Sequence, residues 1–261
     1  MCADRNADPN HHAVETIVDF PSDLINLLKK AARVAVLTGA GVSQESGLHT
    51  FRDAQVGLWA QYRPEDLATP EAFYRDPKLV WDWYMWRREA IKGTRPNPGH
   101  DALVVMEKHI PDFTLITQNV DGLHRMAGNV NVLELHGNIM RVRCCDCRML
   151  IEIWDDDSVT VPRCKTCNGL LRPDVVWFGE SLPPAELQKA INATRECQVF
   201  FSIGTSGLVQ PAASLAHAAR SNGAVVVEIN ADPTPLTPNV DFAFHGKSGD
   251  ILPELVKAVW H

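Results

Sequence analysis

A chain of 261 residues, 45% hydrophobic and 22% charged, has the size and composition of one large globular domain, or of a large domain carrying a small one. Its formal net charge of −7 argues against a non-specific nucleic-acid binder, which needs a cationic face to neutralise phosphates. No apolar run approaches the roughly 18 residues of a membrane helix, and the acidic stretch from Met1 to Phe20 fits neither a secretory signal nor an Arg-rich transit peptide, so a cytoplasmic protein is expected.

In chain order, a helical pattern over residues 23–32 precedes an apolar run at 34–37 that ends in Thr38-Gly39-Ala40-Gly41. Residues 45–98 then form a Trp-rich insertion of helical and loop sequence. A helix is predicted at 100–108, followed by a strand at 113–116 ending in Thr117-Gln118-Asn119. A strand-like segment, Val132-Leu133-Glu134-Leu135, leads to His136. Residues 137–171 carry most of the cysteines. Beyond them come a helix at 185–194, a strand at 199–203 ending in Gly204-Thr205-Ser206, a helix at 212–221, and a strand at 224–229 ending in Asn230-Ala231-Asp232.

The apolar runs are too continuous for a half-exposed sheet, so they read as buried parallel strands. Their alternation with helices implies a doubly wound, Rossmann-like α/β sheet with helices on both faces. The expected division is a large domain of residues 19–136 and 172–261, containing the 45–98 insertion, and a small domain of residues 137–171. In such sheets ligands bind beyond the carboxyl ends of the strands, where the order reverses. Four strand ends rich in Gly, Thr, Gln, Asn and Ser are therefore expected to line one cleft.

Gly39-Ala40-Gly41-Val42-Ser43 suits a dinucleotide-binding turn, since glycine lets backbone amides approach a pyrophosphate. The third glycine of G-x-G-x-x-G is missing, with Gln44 in its place, so a plain strand-to-helix turn is the competing reading. Cys144-x-x-Cys147 and Cys164-x-x-Cys167 have the spacing of a four-thiolate zinc site, closed to water and therefore structural. Cys145 is a spare thiol beside it. His136 is a candidate general base, because its unperturbed pKa lies near neutrality; His100 and His124 compete for that role. On a helix, Tyr84 and Arg87 share a face and could bind a carboxylate, or the helix could pack on the core and leave Arg87 solvated.

Together these motifs resemble the sirtuins, NAD-dependent protein lysine deacylases. From about residue 27 to residue 256 the family's segments occur in order: Gly39-Ala40-Gly41-Val42-Ser43, Thr50-Phe51-Arg52, Thr117-Gln118-Asn119-Val120-Asp121 and His136-Gly137-Asn138, then the paired cysteines, Val176-Trp177-Phe178-Gly179-Glu180, Gly204-Thr205-Ser206 and Asn230. Tyr84-x-x-Arg87 resembles the pair of class III sirtuins, which prefer malonyl-, succinyl- and glutaryl-lysine. Thr50 stands where many deacetylase sirtuins carry Asp, and His49 replaces a proline.

The resemblance implies NAD as co-substrate and one structural zinc on Cys144, Cys147, Cys164 and Cys167. It places Gly39, Ala40, Gly41, Ser43, Phe51, Arg52, Gly204, Thr205 and Ser206 on the pyrophosphate and adenosine half, with Asn230 and Asp232 by the adenine ribose. Gln118 would contact the nicotinamide ribose, while Asn119, Val120 and Asp121 line the nicotinamide pocket; Asn119 joins His136 as a catalytic residue. An acyl-lysine protein or peptide would lie as an added strand against Phe178, Gly179, Glu180 and Val209, its acyl carboxylate meeting Tyr84 and Arg87. The implied reaction releases nicotinamide and 2′-O-acyl-ADP-ribose, His136 taking a ribose hydroxyl proton. Acetyl groups fit the same channel. A monomer is expected, without direct nucleic-acid or membrane partners. ADP-ribosyl transfer to protein shares the first step, and a zinc-ribbon binding module without catalysis is a third reading, disfavoured by the intact Gln118, Asn119, Asp121 and His136.

Overall fold

Continuous apolar strands in the sequence become the fully buried strands of a parallel sheet. The computed structural model describes residues 19–48, 61–154 and 160–261, apart from the side chains of Pro64 and Glu65. In chain order come α1 (Ser22–Lys30), β1 (Arg33–Thr38), α2 (Ala40–Gln44), α3 (Pro64–Leu67), α4 (Pro70–Arg75), α5 (Pro77–Lys92), α6 (Pro98–His109), β2 (Asp112–Thr117), α7 (Leu123–Ala127) and β3 (Val132–Glu134). The small strands β4 (Gly137–Cys144), β5 (Leu150–Ile151) and β6 (Leu171–Val175) follow. Then come α8 (Pro184–Glu196), β7 (Val199–Ile203), α9 (Ser214–Ser221), β8 (Val225–Asn230), β9 (Phe242–His245) and α10 (Ser248–Trp260).

The large sheet is parallel with order β3-β2-β1-β7-β8-β9, and β5-β4-β6 form a separate antiparallel sheet. Because side chains alternate across a strand, Val34, Val36, Phe113, Leu115, Phe201 and Val227 face one core with helices α1, α6 and α10. Their neighbours Ala35, Leu37, Ile116, Phe200 and Val226 face the other core with α8 and α9. This is the doubly wound architecture that the sequence implies. The sequence reading did not anticipate β9 and α10. An edge strand with alternating exposure carries a weak apolar signal, and Pro253 inside α10 reads as a helix breaker although the chain remains helical through it.

The two insertions do not stay apart. Residues of α3–α5, including Leu67, Phe73, Val80, Trp83 and Tyr84, share one core with Ile139 and Val175 of the small sheet and with Trp177. Trp81 packs with Val142, Cys144, Trp154, Cys164 and Leu171 in another. The helical insertion and the cysteine-bearing sheet therefore pack as one unit above the large sheet.

The strand order reverses around β1, which has β2 on one side and β7 on the other, so the crevice expected for a ligand opens beyond these ends. There the Gly39 N–H donates to the Ile203 carbonyl at 3.0 Å and the Gly41 N–H to the Gly204 carbonyl at 2.8 Å. Gly204 has φ +59, and a Cβ on it would lie 2.6 Å from the Val42 nitrogen. Both the left-handed backbone and the close approach require glycine. Gly204→Ala is expected to destabilise the fold by about 2 kcal/mol or more; urea unfolding reads this as a lowered midpoint, and an unchanged midpoint would show that the turns can separate at no cost.

Candidate functional site

The ends of β1, β2, β7 and β8 place the nucleotide-type residues along one edge. Gly39 is buried, Ala40 exposed and Ser43 buried inside the short α2. The Gln118 side-chain amide donates to the Thr205 hydroxyl at 3.0 Å, tying the end of β2 to that of β7. Ser206 is exposed beside Thr205, and the Asn230 side-chain amide donates to the Asp232 carbonyl at 2.8 Å. Phe51 and Arg52, with His49 and Thr50, lie outside the described residues.

A second group of side chains closes around Asp121. Ser43 Oγ donates to Asp121 Oδ2 at 2.7 Å, and the Leu123 N–H donates to Oδ1 at 2.9 Å. Asn119 Nδ2 donates to both the Gly39 carbonyl and Ser43 Oγ, each at 2.9 Å. Burial raises the Asp121 pKa, against the opposing pull of the Leu123 and Ser43 hydrogen bonds. Asn119 thus donates to Ser43 and Ser43 to Asp121, a relay that ties the segment after β2 to the turn after β1.

His136 is half-buried just beyond β3, and its Nδ1 lies 2.9 Å from the Gln118 carbonyl. A carbonyl can only accept, so Nδ1 carries the proton and the neutral ring keeps its lone pair on Nε2. Burial lowers its pKa, while the Gln118 bond works in the other direction, so the basic form is held at neutral pH. The competing histidines stand elsewhere. His100 and His124 are buried ring against ring, with centroids 4.7 Å apart. Burial depresses them to about 4 and about 3 respectively. His100 Nδ1 accepts from the Asn97 N–H in the capping box of α6, and His124 Nε2 meets Thr38 Oγ1 at 2.9 Å. Both are neutral groups committed to the interior, whereas His136 is half-buried just beyond β3.

Buried charges hold the segment leading to His136. Glu134 pairs with Arg141 at 2.9 Å, and Arg141 pairs with Asp174 at 3.0 Å. Arg143 adds a second contact to Asp174 at 2.5 Å, and Asn138 Nδ2 donates to Glu134 at 2.8 Å. The small sheet is thereby fastened to the end of β3, two residues before His136. The sequence reading did not single out these four charged residues, because charge alone does not reveal pairing between two sheets.

Tyr84 and Arg87 lie one turn apart on α5. Asp76 caps the helix by accepting from the Leu79 N–H, and Pro77 opens its first turn. Tyr84 is 1% exposed, and its oxygen accepts the Trp177 indole N–H at 2.9 Å. Burial pushes its pKa up to about 12, so it remains a phenol. The Arg87 guanidinium stacks 5.2 Å from the Trp83 ring, and burial lowers its pKa with Tyr84 opposing. Val120, from the segment carrying Asn119 and Asp121, packs against the same cluster as Tyr84. One carboxylate-binding candidate, Tyr84, and one nicotinamide-pocket candidate, Val120, therefore belong to one apolar cluster.

Phe178 and Val209 are exposed, at 49% and 44%, and Gly179 is exposed between Phe178 and Glu180. The Phe178 N–H donates to the Ala68 carbonyl at 2.9 Å, so this amide is engaged by the helical insertion. The Glu180 side chain turns inward and accepts from the Trp177 N–H at 2.8 Å and from Arg172. Burial works to raise the Glu180 pKa, but the Arg172 bond and the Trp177 N–H outweigh it and leave it lowered.

The four cysteine sulfurs of Cys144, Cys147, Cys164 and Cys167 lie within 4.8 Å of one another. The Cys144–Cys167 and Cys147–Cys164 sulfurs are 3.4 and 3.7 Å apart, close to the edge of about 3.8 Å for a tetrahedron of 2.3 Å Zn–S bonds. Arg148 and Asn168, each following the second cysteine of its pair, have φ of +62°, folding both loops back around the sulfurs. The set fits a structural zinc. Cys145 is not in it: its backbone N–H pairs with the Leu170 carbonyl and its thiol pKa is raised to about 11 by burial.

Comparison with known proteins agrees with this geometry. A model of the Sir2 family matches residues 39–211. An NAD-dependent protein deacylase of Pyrococcus furiosus is 48% identical over 243 residues, spanning 91% of this chain and 97% of its own. One of Aquifex aeolicus is 52% identical over 216 residues, spanning 82% of this chain and 90% of its own. Among solved structures, a Sir2 homologue in complex with NAD matches with a TM-score of 0.86 and 44% identity, over 92% of this chain and 94% of that one. A mutant Sir2 homologue in complex with 2′-O-acetyl ADP ribose matches with a TM-score of 0.85 and 45% identity, over 92% and 96%. Among the described residues no helix is long and apolar enough to cross a membrane.

Removing the metal should act on the whole upper unit, because Cys144 and Cys164 are part of its core. One zinc per chain is the expected stoichiometry by elemental analysis. Chelation or Cys164→Ser should raise protease sensitivity around the small sheet; a metal-free chain with unchanged digestion would remove the structural role.

Proposed function

The chain belongs to the Sir2 family, and on that premise we propose that it is an NAD-dependent protein lysine deacylase with a preference for acidic acyl groups, succinyl, malonyl and glutaryl, that also accepts acetyl. The relatives' activity, and the NAD and 2′-O-acetyl ADP ribose complexes of the solved homologues, support the deacylase reading. The observation that carries the acidic-acyl preference is the buried phenol of Tyr84 one helical turn from Arg87, in a cluster shared with Val120.

NAD, consumed as a co-substrate, supplies a glycosidic bond activated by its nicotinamide leaving group. Gly39, Ala40, Gly41, Ser43, Gly204, Thr205 and Ser206 form the backbone-lined cradle for its phosphates, and Asn230 borders the adenosine end. Gln118 holds the nicotinamide ribose while Asn119 and Asp121 bind the carboxamide, oriented by the Ser43 hydroxyl. His136, its Nδ1 proton committed to the Gln118 carbonyl, accepts a ribose hydroxyl proton on Nε2. Nicotinamide leaves as the acyl oxygen attacks the ribose C1′, and the deprotonated 2′-oxygen then attacks the resulting imidate. One water completes the cleavage, so the products are nicotinamide, free lysine and 2′-O-acyl-ADP-ribose.

The peptide lies along Phe178, Gly179 and Val209, with its acyl chain directed toward Tyr84 and Arg87. Arg87 meets the distal carboxylate and Tyr84 donates to it. A charge-assisted hydrogen bond of this kind contributes about 1.5–3 kcal/mol, or about 10- to 100-fold in discrimination.

His136→Ala should abolish acyl-ADP-ribose formation while circular dichroism stays that of the parent; retained turnover would exclude His136 as the base. A base must be unprotonated to act, and burial lowers the His136 pKa below 6.5, so the acid limb of kcat should fall only below that pH. A limb centred above 6.5 would contradict the assignment. With matched succinyl- and acetyl-lysine peptides, the succinyl turnover should be the faster. Arg87→Met should lower the succinyl-to-acetyl ratio of kcat/KM about 10-fold or more, whereas an equal loss on both peptides would make Arg87 a packing residue. Labelled protein instead of acyl-ADP-ribose would identify ADP-ribosyl transfer.

A further inference from the structure

Resting on that reading of Tyr84 and Arg87, the geometry points to Trp177 as a positioning residue that fixes the Tyr84 phenol for the carboxylate of an acidic acyl group, with Arg172 and Glu180 as its buttress. The hydrogen bond between the two side chains has only one possible direction. An indole nitrogen donates and never accepts, so the 2.9 Å contact between Trp177 Nε1 and the Tyr84 oxygen uses a phenol lone pair. The single phenol proton is thereby left for an acceptor other than Trp177, and accepting one hydrogen bond strengthens the other. Burial, which keeps Tyr84 protonated, preserves that donor.

Trp177 is itself held from three sides. The Arg172 guanidinium lies 3.2 Å from the centre of the indole ring, a cation–π contact between two buried groups. Its two terminal nitrogens reach both Glu180 oxygens at 2.5 and 2.9 Å, and one also donates to the Val175 carbonyl at 2.7 Å. Glu180 in turn accepts the Trp177 backbone N–H at 2.8 Å. Phe73 closes the remaining side, with ring centroids 5.2 Å apart. Since Phe178 and Gly179 are the exposed residues of this same loop, one rigid turn presents the peptide-binding face outward and the Tyr84-directing indole inward. The acyl-end donor is thus registered against the peptide backbone through side chains that need not touch substrate.

Trp177→Phe keeps an aromatic ring under Arg172 and removes the N–H donor along with part of the buried indole, a packing loss that should weigh equally on both peptides. With saturating NAD, kcat and KM are measured on matched succinyl- and acetyl-lysine peptides for Trp177→Phe, Tyr84→Phe, the double variant and Arg87→Met. Trp177→Phe should lower the succinyl-to-acetyl ratio of kcat/KM about 3- to 10-fold, the loss of one neutral hydrogen bond, and the fall should sit in KM for the succinyl peptide. In the double variant the ratio should be no lower than in Tyr84→Phe alone, because the indole acts through the phenol. Multiplying effects in the double variant, or an equal fall for both peptides, would overturn the assignment and make Trp177 a packing residue. An Arg87→Met ratio equal to the parent's would sink the acidic-acyl reading itself. A lowered Arg87→Met ratio with an unmoved Trp177→Phe ratio would sink only the role of Trp177.

Discussion

Everything in the crevice depends on the close backbone contact between the turn after β1 and the turn after β7. With Gly39, Gly41 and Gly204 at the contact, hypothetical Cβ atoms would fall 2.6–2.9 Å from neighbouring backbone atoms, closer than any real side chain tolerates. Their absence lets two adjacent strand ends meet through N–H···O bonds. Side chains of the segment after β2 reach both turns: Asn119 reaches Gly39 and Ser43, Ser43 reaches Asp121, and Gln118 reaches Thr205. The segment after β2 is thus tied to both turns, to the first through Asn119 and Asp121 and to the second through Gln118.

Above that edge, the second constraint is the shared core of two insertions that are separated in sequence. Trp81 of α5 stands edge-on to Trp154 at 5.0 Å, and two of the four cysteines are buried in the same cluster. A zinc bound by those sulfurs therefore stabilises the packing surface of α5 as well as two short loops. The same helix carries Tyr84 and Arg87, so the chemistry proposed at the acyl end is mechanically linked to a metal that touches no substrate. The paired charges of Glu134, Arg141 and Asp174 complete the attachment from the His136 side. A buried pair of this sort adds little net stability, but loss of one partner leaves a charge uncompensated, which favours a single arrangement of the upper unit over the large sheet.

Much of this was legible in the residues. The apolar runs at 34–37, 113–116, 199–203 and 224–229 correspond to β1, β2, β7 and β8, because strands buried on both faces leave an unbroken hydrophobic signature. The CxxC pairs announced their cluster, since tetrahedral thiolate ligation needs that spacing within each loop. Spacing could not choose among three histidines. Burial and hydrogen bonding set them apart, with His100 and His124 in the interior and His136 half-buried, its Nδ1 on the Gln118 carbonyl.

What the sequence determined by itself was local: helix and strand periods, glycines at turns, and ligand spacings, all set by neighbours along the chain. The tertiary structure alone decided which insertion packs on which, that Glu180 turns inward to Arg172, and that the Trp177 indole finds Tyr84 93 residues away. Such pairings arise from burial, which makes an unpaired polar group costly wherever it falls in the sequence. A linear pattern carries no record of which distant partner will satisfy it.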